Sequence, residues 1–475
     1  MKRYYFLFVC MFLSMNVFCQ NNERKITLDE QLADTSSIIK NKISQWQDLK
    51  FGFLIHWGIY SQWGVVESWS ICNESWIDRK NQPYEPYKQK YFALNKTFNP
   101  KNFKPQLWAK IAKDAGMKYV IFTTKHHDGF CMFNTKQTTY SCCDSSCPNS
   151  KNTNSDITKQ VVDAFRNDGF WTGLYFSKPD WHNENYWSLL WATPDRNVNY
   201  DIDKHKDMWQ KYCDYTFNQI KELTHNYGKI DILWLDGGWI RPQWSIKTDE
   251  IKSWLGAYKR VQDVNMPKIA SMARENNKDL IIVDRSVGGK YENYQTPEQQ
   301  VPDTLLSYPW ETCMTMGDSW SYVPNDNYKS VNNLIHILVD VVCKGGNFLL
   351  NVGPDANGNL PQEAINRMEA IGKWLKVNGE AIYNTRPIYP YKDNGVCFTK
   401  NNNGKEYAII LIDTTNKLKN DYVFSFSDKL KSGNKKVLGQ KDKAQLIKQG
   451  DKYSLKFSDA FVRNNQNKDA IVVAL

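Results

Sequence analysis

The sequence predicts a (β/α)8-like TIM barrel, partly irregular, followed by a C-terminal antiparallel β-sandwich. Three observations carry this. Short apolar runs recur with helical patterns between them, as in a parallel sheet covered on both faces. Nearly every run is followed by a polar or ionisable residue, as when barrel strands converge on one mouth. After about Arg386 the pattern changes to short alternating runs parted by Asn, Gly, Lys and Asp, which reads as an antiparallel sandwich.

In chain order, residues 1–20 come first. Lys2 and Arg3 precede an apolar run from Tyr4 to Val17, and the small Cys19 follows, which is the plan of a secretory signal peptide. No segment approaches the ~20 apolar residues of a membrane span. The mature chain is therefore expected to be secreted or periplasmic, with no integral membrane span. A lipid anchor on Cys19 is the lesser alternative, because Asn16-Val17-Phe18 lacks a small residue before the cysteine. The stretch Asn21–Asn41 is charged and polar and points to no particular element.

The barrel, residues 21–383, has its first strand at Phe51–Trp57. Tyr119–Thr124 follows a helix around Leu107–Ala115, and Phe170–Phe176 follows a helix Ile157–Arg166 that Asp156 caps. Ile230–Leu235 follows the long helical stretch Lys204–Tyr227. Leu280–Val283, Tyr308–Thr312 and Asn347–Val352 complete seven strands; no run marks the eighth. A helix Gln362–Lys376 ends the barrel. Residues 384–475 form the sandwich, with strands at Tyr407–Ile412 and Tyr422–Phe426.

Composition narrows the function. A length of 475 residues suits one large barrel plus an accessory domain. Aromatic residues reach 14%, with 18 Trp, and several stand beside His, Asp or Gly. Sugars stack their C–H faces on such rings, although core filling accounts for most of them. The net charge of +10 is spread along the chain, and its densest patch, Lys429–Lys452, reads as a solvated surface. Nucleic acid is not an expected partner. Two of the eleven cysteines lie in the leader, and the rest are too sparse for a disulfide scaffold. Cys142, Cys143 and Cys147 crowd one loop but lack a second Cys or His pair at zinc spacing, so a local disulfide or free thiols is expected there.

The chemistry centres on Asp236, which ends an apolar run and precedes Gly237-Gly238, where a ligand can approach closely. An aspartate capping a turn is the competing reading. Cleaving a glycosidic bond needs two carboxylates, one attacking the anomeric carbon and one protonating the leaving oxygen. Glu292, Glu298 and Glu311 are candidates for the second, and position alone does not choose among them. Three of only seven histidines follow strands: His56 in HWG, and His126 and His127 in KHHDGF. Neutral imidazoles both donate to and accept from sugar hydroxyls. His126 and His127, adjacent on a strand, are expected to point to opposite faces. That argues against a shared metal ion, and neither metal nor cofactor is expected.

The stretches FGFLIHWGIYS, TTKHHDGFCMF, GLYFSKPDW, DILWLDGGW, the Tyr291–Trp320 segment, GGNFLLNVGPDANG and GKWLKVNGEAIYNTRP follow one another from Phe51 to Arg386. In that order they resemble glycoside hydrolase family 29, the α-L-fucosidases. The resemblance implies a retaining mechanism, a barrel followed by a sandwich, Asp236 as nucleophile, and a fucosylated oligosaccharide or glycoconjugate as substrate. It implies substrate-binding roles for His56, His126, His127, Trp234 and Arg285, with Tyr175 in GLYFS and Trp320 in SWSY. Many members carry Glu-Trp after the HWG strand; this chain has Glu67-Ser68-Trp69, which makes Glu67 and Trp69 the equivalents at altered spacing. Matching TPEQ makes Glu298 the acid/base, and matching WETC would make it Glu311.

Three rivals remain at this level. An exo-α-L-galactosidase on the same scaffold would differ by one hydroxyl in one pocket wall. A non-catalytic carbohydrate-binding protein would not need Asp236 and a partner acid. A metal-dependent barrel hydrolase would need a convergent ligand set.

Overall fold

The computed structural model describes residues 34–246 and 261–475. The predicted leader, residues 1–20, lies outside the described residues. Among them, no helix is long and apolar enough to cross a membrane.

Seven parallel strands form the barrel wall: β1 (Phe51–Ile55), β2 (Tyr119–Lys125), β3 (Trp171–Ser177), β4 (Ile232–Asp236), β5 (Ile281–Asp284), β6 (Glu311–Thr315) and β7 (Asn347–Val352). Their order is β5-β4-β3-β2-β1-β7-β6. The residues of these strands are almost all buried, because helices cover one face and the lumen the other. The helices, in chain order, are α1 (Ser37–Leu49), α2 (Tyr84–Phe92), α3 (Pro105–Asp114), α4 (Ile157–Asn167), α5 (Lys206–Asn226), α6 (Met266–Ala273), α7 (Val331–Cys343) and α8 (Gln362–Asn378). Asp156 caps α4 as the sequence predicts, accepting from the Lys159 N–H.

The strandless gap between β5 and β6 is where the eighth strand belongs. The segment 292–298 fills it. Glu292 bridges Val283 of β5 in the antiparallel sense, and Gln295 and Glu298 bridge Trp310 and Cys313 in the parallel sense. These are isolated bridges rather than a ladder, and only Tyr294 of the segment points apolar surface into the lumen, which is why no apolar run marks it. Glu298 is thereby carried on the barrel wall itself.

The lumen is packed with inward residues of alternate register, among them Leu54, Ile121, Tyr175, Ile232, Trp234, Val283 and Leu349. α1 closes its floor. Ile39, Ile43 and Trp46 enter the same cluster, and Trp46 stacks on Tyr294 with centroids 4.0 Å apart. Part of the polar stretch with no predicted element is thus the start of this floor helix.

The remaining strands form two antiparallel four-stranded sheets. One is β15 (Ala470–Ala474), β10 (Glu406–Leu411), β9 (Val396–Asn401) and β8 (Thr385–Asp393). The other is β11 (Asp421–Ser425), β14 (Lys452–Lys456), β13 (Lys443–Gln449) and β12 (Gly433–Lys436), with a short helix α9 (Asp459–Asn465) before β15. Phe398, Ile410, Phe424, Leu446 and Leu455 fill the space between the sheets. The first sheet's other face, with Cys397, Tyr407 and Val472, joins the barrel's outer core. The nine cysteines of the described residues are free thiols, with Cys142 Sγ 3.7 Å from Cys143 Sγ.

Candidate active site

A cavity of about 600 Å³ opens at the C-terminal ends of the barrel strands. Asp236 closes β4, and its carboxylate lies at the cavity floor. Tyr175 of β3 donates to Asp236 Oδ2 at 2.7 Å, and Arg285, just past β5, donates to Oδ1 at 3.1 Å. Burial opposes the charged form, but Arg285, His127, the Tyr175 hydroxyl and the Gly237 N–H outweigh it and hold the carboxyl well below the usual carboxylate range. Gly237 has φ +91, and a Cβ there would lie 2.2 Å from Pro179 Cδ, so the turn that exposes Asp236 requires glycine.

Arg285 organises the second carboxylate as well. Its Nη2 contacts Glu298 Oε2, its Nε donates to Thr296 Oγ1 at 3.1 Å, and its plane lies 5.1 Å over Trp234. Asp236 and Glu298 therefore touch two nitrogens of one guanidinium. Arg285 and Glu298 are each followed by a residue in the left-handed region, Ser286 at φ 62 and Gln299 at φ 56. Non-glycine residues seldom adopt that conformation, and it recurs where a chain is bent to present side chains to a site. Buried Lys178, which bonds Asp284 and the Ile240 carbonyl, ties the ends of β3, β4 and β5 together beneath.

The histidines form one wall. His127 shares a hydrogen bond of 2.7 Å with Ser177 Oγ through Nδ1, which turns Nε2 toward Asp236 Oδ2 at 3.7 Å. His126 Nδ1 is paired with Ser68 Oγ, and His56 packs between Tyr175 and Trp320. Burial pushes His56 down to about 3 and His127 to about 4, and holds His126 well below its ordinary value, so all three are neutral near pH 7. Glu67 is almost fully buried and accepts the Ser321 N–H at 3.1 Å. Burial pushes its carboxyl up to about 8, with Glu298 adding to the rise, so it is protonated at neutral pH and able to donate to a ligand hydroxyl.

The expectation that His126 and His127 point apart is wrong. β2 ends at Lys125, so strand alternation no longer applies to them; their ring centroids are 4.3 Å apart and both rings line the cavity. Ligand atoms of His126, His127 and Asp236 lie within 4.8 Å of one another. What stands against a cation there is the Arg285 charge already bonded to Asp236.

The predicted run Tyr308–Thr312 would put Glu311 near the end of a strand, and the structure instead puts it at the start of one, β6. There Glu311 sits deep in the lumen below the cavity. Its oxygens accept from the Tyr119 hydroxyl at 2.6 Å and the Trp234 indole at 3.4 Å, and burial pushes its carboxyl up to about 7. Glu311→Ala should leave those two donors unpaired and lower unfolding free energy by about 1–3 kcal/mol in denaturant titrations. It should slow good and poor leaving groups by the same factor, since Glu311 does not line the cavity.

Glu292, the third candidate carboxylate, does not line it either and accepts the Ser286 N–H at 2.7 Å, whereas the remaining predicted residues do: His56, Glu67, Trp69, His126, His127, Tyr175, Trp234, Asp236, Arg285, Glu298 and Trp320. Sequence reasoning missed Trp239, within the DGGW motif, and Arg196, Arg241, Trp76 and Cys313. Arg196 comes from the long segment between β3 and α5, which carries no local signal for a site. Its guanidinium is wedged 4.5 Å over Trp69 and 5.2 Å over Trp239.

Known proteins resemble this chain in sequence and in fold. The family model described as Alpha-L-fucosidase matches residues 18–380. The alpha-L-fucosidase of Dictyostelium discoideum is 31% identical over 419 residues, covering 82% of this chain and 81% of that protein. The tissue alpha-L-fucosidase of Bos taurus is 28% identical, over 80% of this chain and 77% of its own. Among solved structures, alpha-L-fucosidase isoenzyme 1 from Paenibacillus thiaminolyticus superposes with a TM-score of 0.73 at 28% identity, covering 92% of this chain and 99% of that one.

Proposed function

This chain belongs to the alpha-L-fucosidase family, and on that premise we propose that it is a retaining exo-glycosidase releasing terminal α-L-fucose from oligosaccharides or glycoconjugates. The observation that carries the reading is the pair of carboxylates joined by Arg285, one ionised at the cavity floor and one nearer the mouth. Asp236 attacks the anomeric carbon and forms a glycosyl-enzyme. Glu298 gives its proton to the departing oxygen, then takes one from the water that releases the sugar. The Glu298 side chain is 43% exposed, which leaves it room to turn from Arg285 to the leaving oxygen. His56, His126, His127, Trp69 and Trp320 bind the sugar as a neutral wall, with protonated Glu67 as a hydroxyl partner.

The test is a comparison of aryl α-L-fucoside with aryl α-L-galactoside, each with and without prior dialysis against a chelator. The fucoside should turn over faster, and dialysis should leave its rate unchanged. A preference for the L-galactoside, or a loss restored by one divalent ion, would reverse the corresponding part of the proposal.

A further inference from the structure

Two large apolar side chains on the cavity wall are open to solvent, Val66 and Trp76, both from the segment after β1. Trp76 is 56% exposed, yet its ring is held in place. Its indole N–H donates to Glu74 Oε2 at 2.7 Å. Glu74 is gripped in turn by Arg196, through Nε at 2.6 Å, Nη2 at 2.5 Å and the backbone N–H at 3.3 Å. Arg196 is fixed by the two tryptophans it lies against, Trp69 and Trp239.

The rings also step outward from the reacting carboxylate. His127 Nε2 is 3.7 Å from Asp236, Trp69 stands edge-on to His127 with centroids 5.3 Å apart, and Trp76 follows Trp69 at 5.4 Å. Trp76 thus lies one ring further out than the wall of the terminal-sugar subsite. An exposed aromatic face held rigid by hydrogen bonds loses little freedom on binding, and covering it releases water from both surfaces.

We propose that Trp76 is a platform for the leaving-group sugar, stacking the C–H face of a hexopyranosyl residue to which the fucose is bonded. This rests on the fucosidase reading above. It makes the protein selective for fucose on a sugar rather than on a small alcohol, because only a ring covers the indole.

The experiment compares wild type, Trp76→Ala and Trp76→Phe on α-L-fucosyl fluoride, whose leaving group has no ring, and on α-L-fucosylated hexose disaccharides. For the disaccharides that wild type cleaves, Trp76→Ala should lower kcat/KM about tenfold, chiefly through KM, the size of one aromatic contact. Fluoride release should stay within twofold, and Trp76→Phe should recover most of the disaccharide rate. Equal losses on both substrate types, or no loss on either, overturns the platform. A wild type inert on fucosyl fluoride and on every disaccharide overturns the fucosidase reading itself, and the platform with it.

Discussion

Replacing Asp236 by asparagine should lower kcat by roughly 10⁴-fold or more, the scale on which loss of a covalent nucleophile is felt. The amide keeps the shape: its one oxygen can still accept from Arg285 while its NH2 donates to the Tyr175 hydroxyl oxygen, so far-UV circular dichroism and the thermal midpoint should change little. The wild-type carboxylate needs no general base. Arg285, His127 and Tyr175 keep it ionised well into acid, so the acid side of the pH–rate profile should not report Asp236. Activity near wild type in a preparation free of contaminating enzyme would remove Asp236 from the mechanism.

Glu298→Ala should act differently on different substrates. General acid catalysis contributes on the order of 10²–10⁴-fold where the leaving group is poor, so a natural disaccharide should lose that much. An activated phenol departs without a proton, and its first step should be slowed far less. The glycosyl-enzyme then accumulates, because Glu298 no longer activates water. Azide, which attacks without a general base, should restore turnover and give the glycosyl azide with retained configuration. If Glu311→Ala shows the leaving-group dependence and azide rescue while Glu298→Ala does not, the assignment is reversed. The geometry argues for Glu298. It shares Arg285 with Asp236 at the cavity, whereas Glu311 is sealed in the lumen holding Tyr119 and Trp234.

Glu298 also shows where sequence reading stops. Its context matched a family loop, but nothing local distinguished it from Glu311. The distinction is a matter of a few residues in where β6 begins. A strand rises about 3.3 Å per residue, so a start at Glu311 rather than Tyr308 carries that carboxyl from the mouth toward the floor. The missing eighth strand failed for a related reason: the segment 292–298 is held by isolated bridges to two neighbours and has no apolar run of its own.

The sequence by itself determined the seven strands, the floor aspartate and the strand-end part of the cavity wall, His56, His126, His127 and Arg285. Glu67, Trp69, Tyr175, Trp234 and Trp320 followed only from the family resemblance. Strand periodicity and turn chemistry are local, and a parallel barrel brings all its strand ends to one mouth, so residues just past each apolar run meet without any pairwise contact having to be foreseen. Only the tertiary structure decided the rest. His126 and His127 face the same cavity because β2 ends before them. Glu74, Arg196 and Trp76 form a rim although Glu74 and Arg196 lie 122 positions apart. Such contacts depend on how long loops close over the barrel, and loop closure leaves no periodic trace in the sequence that makes it.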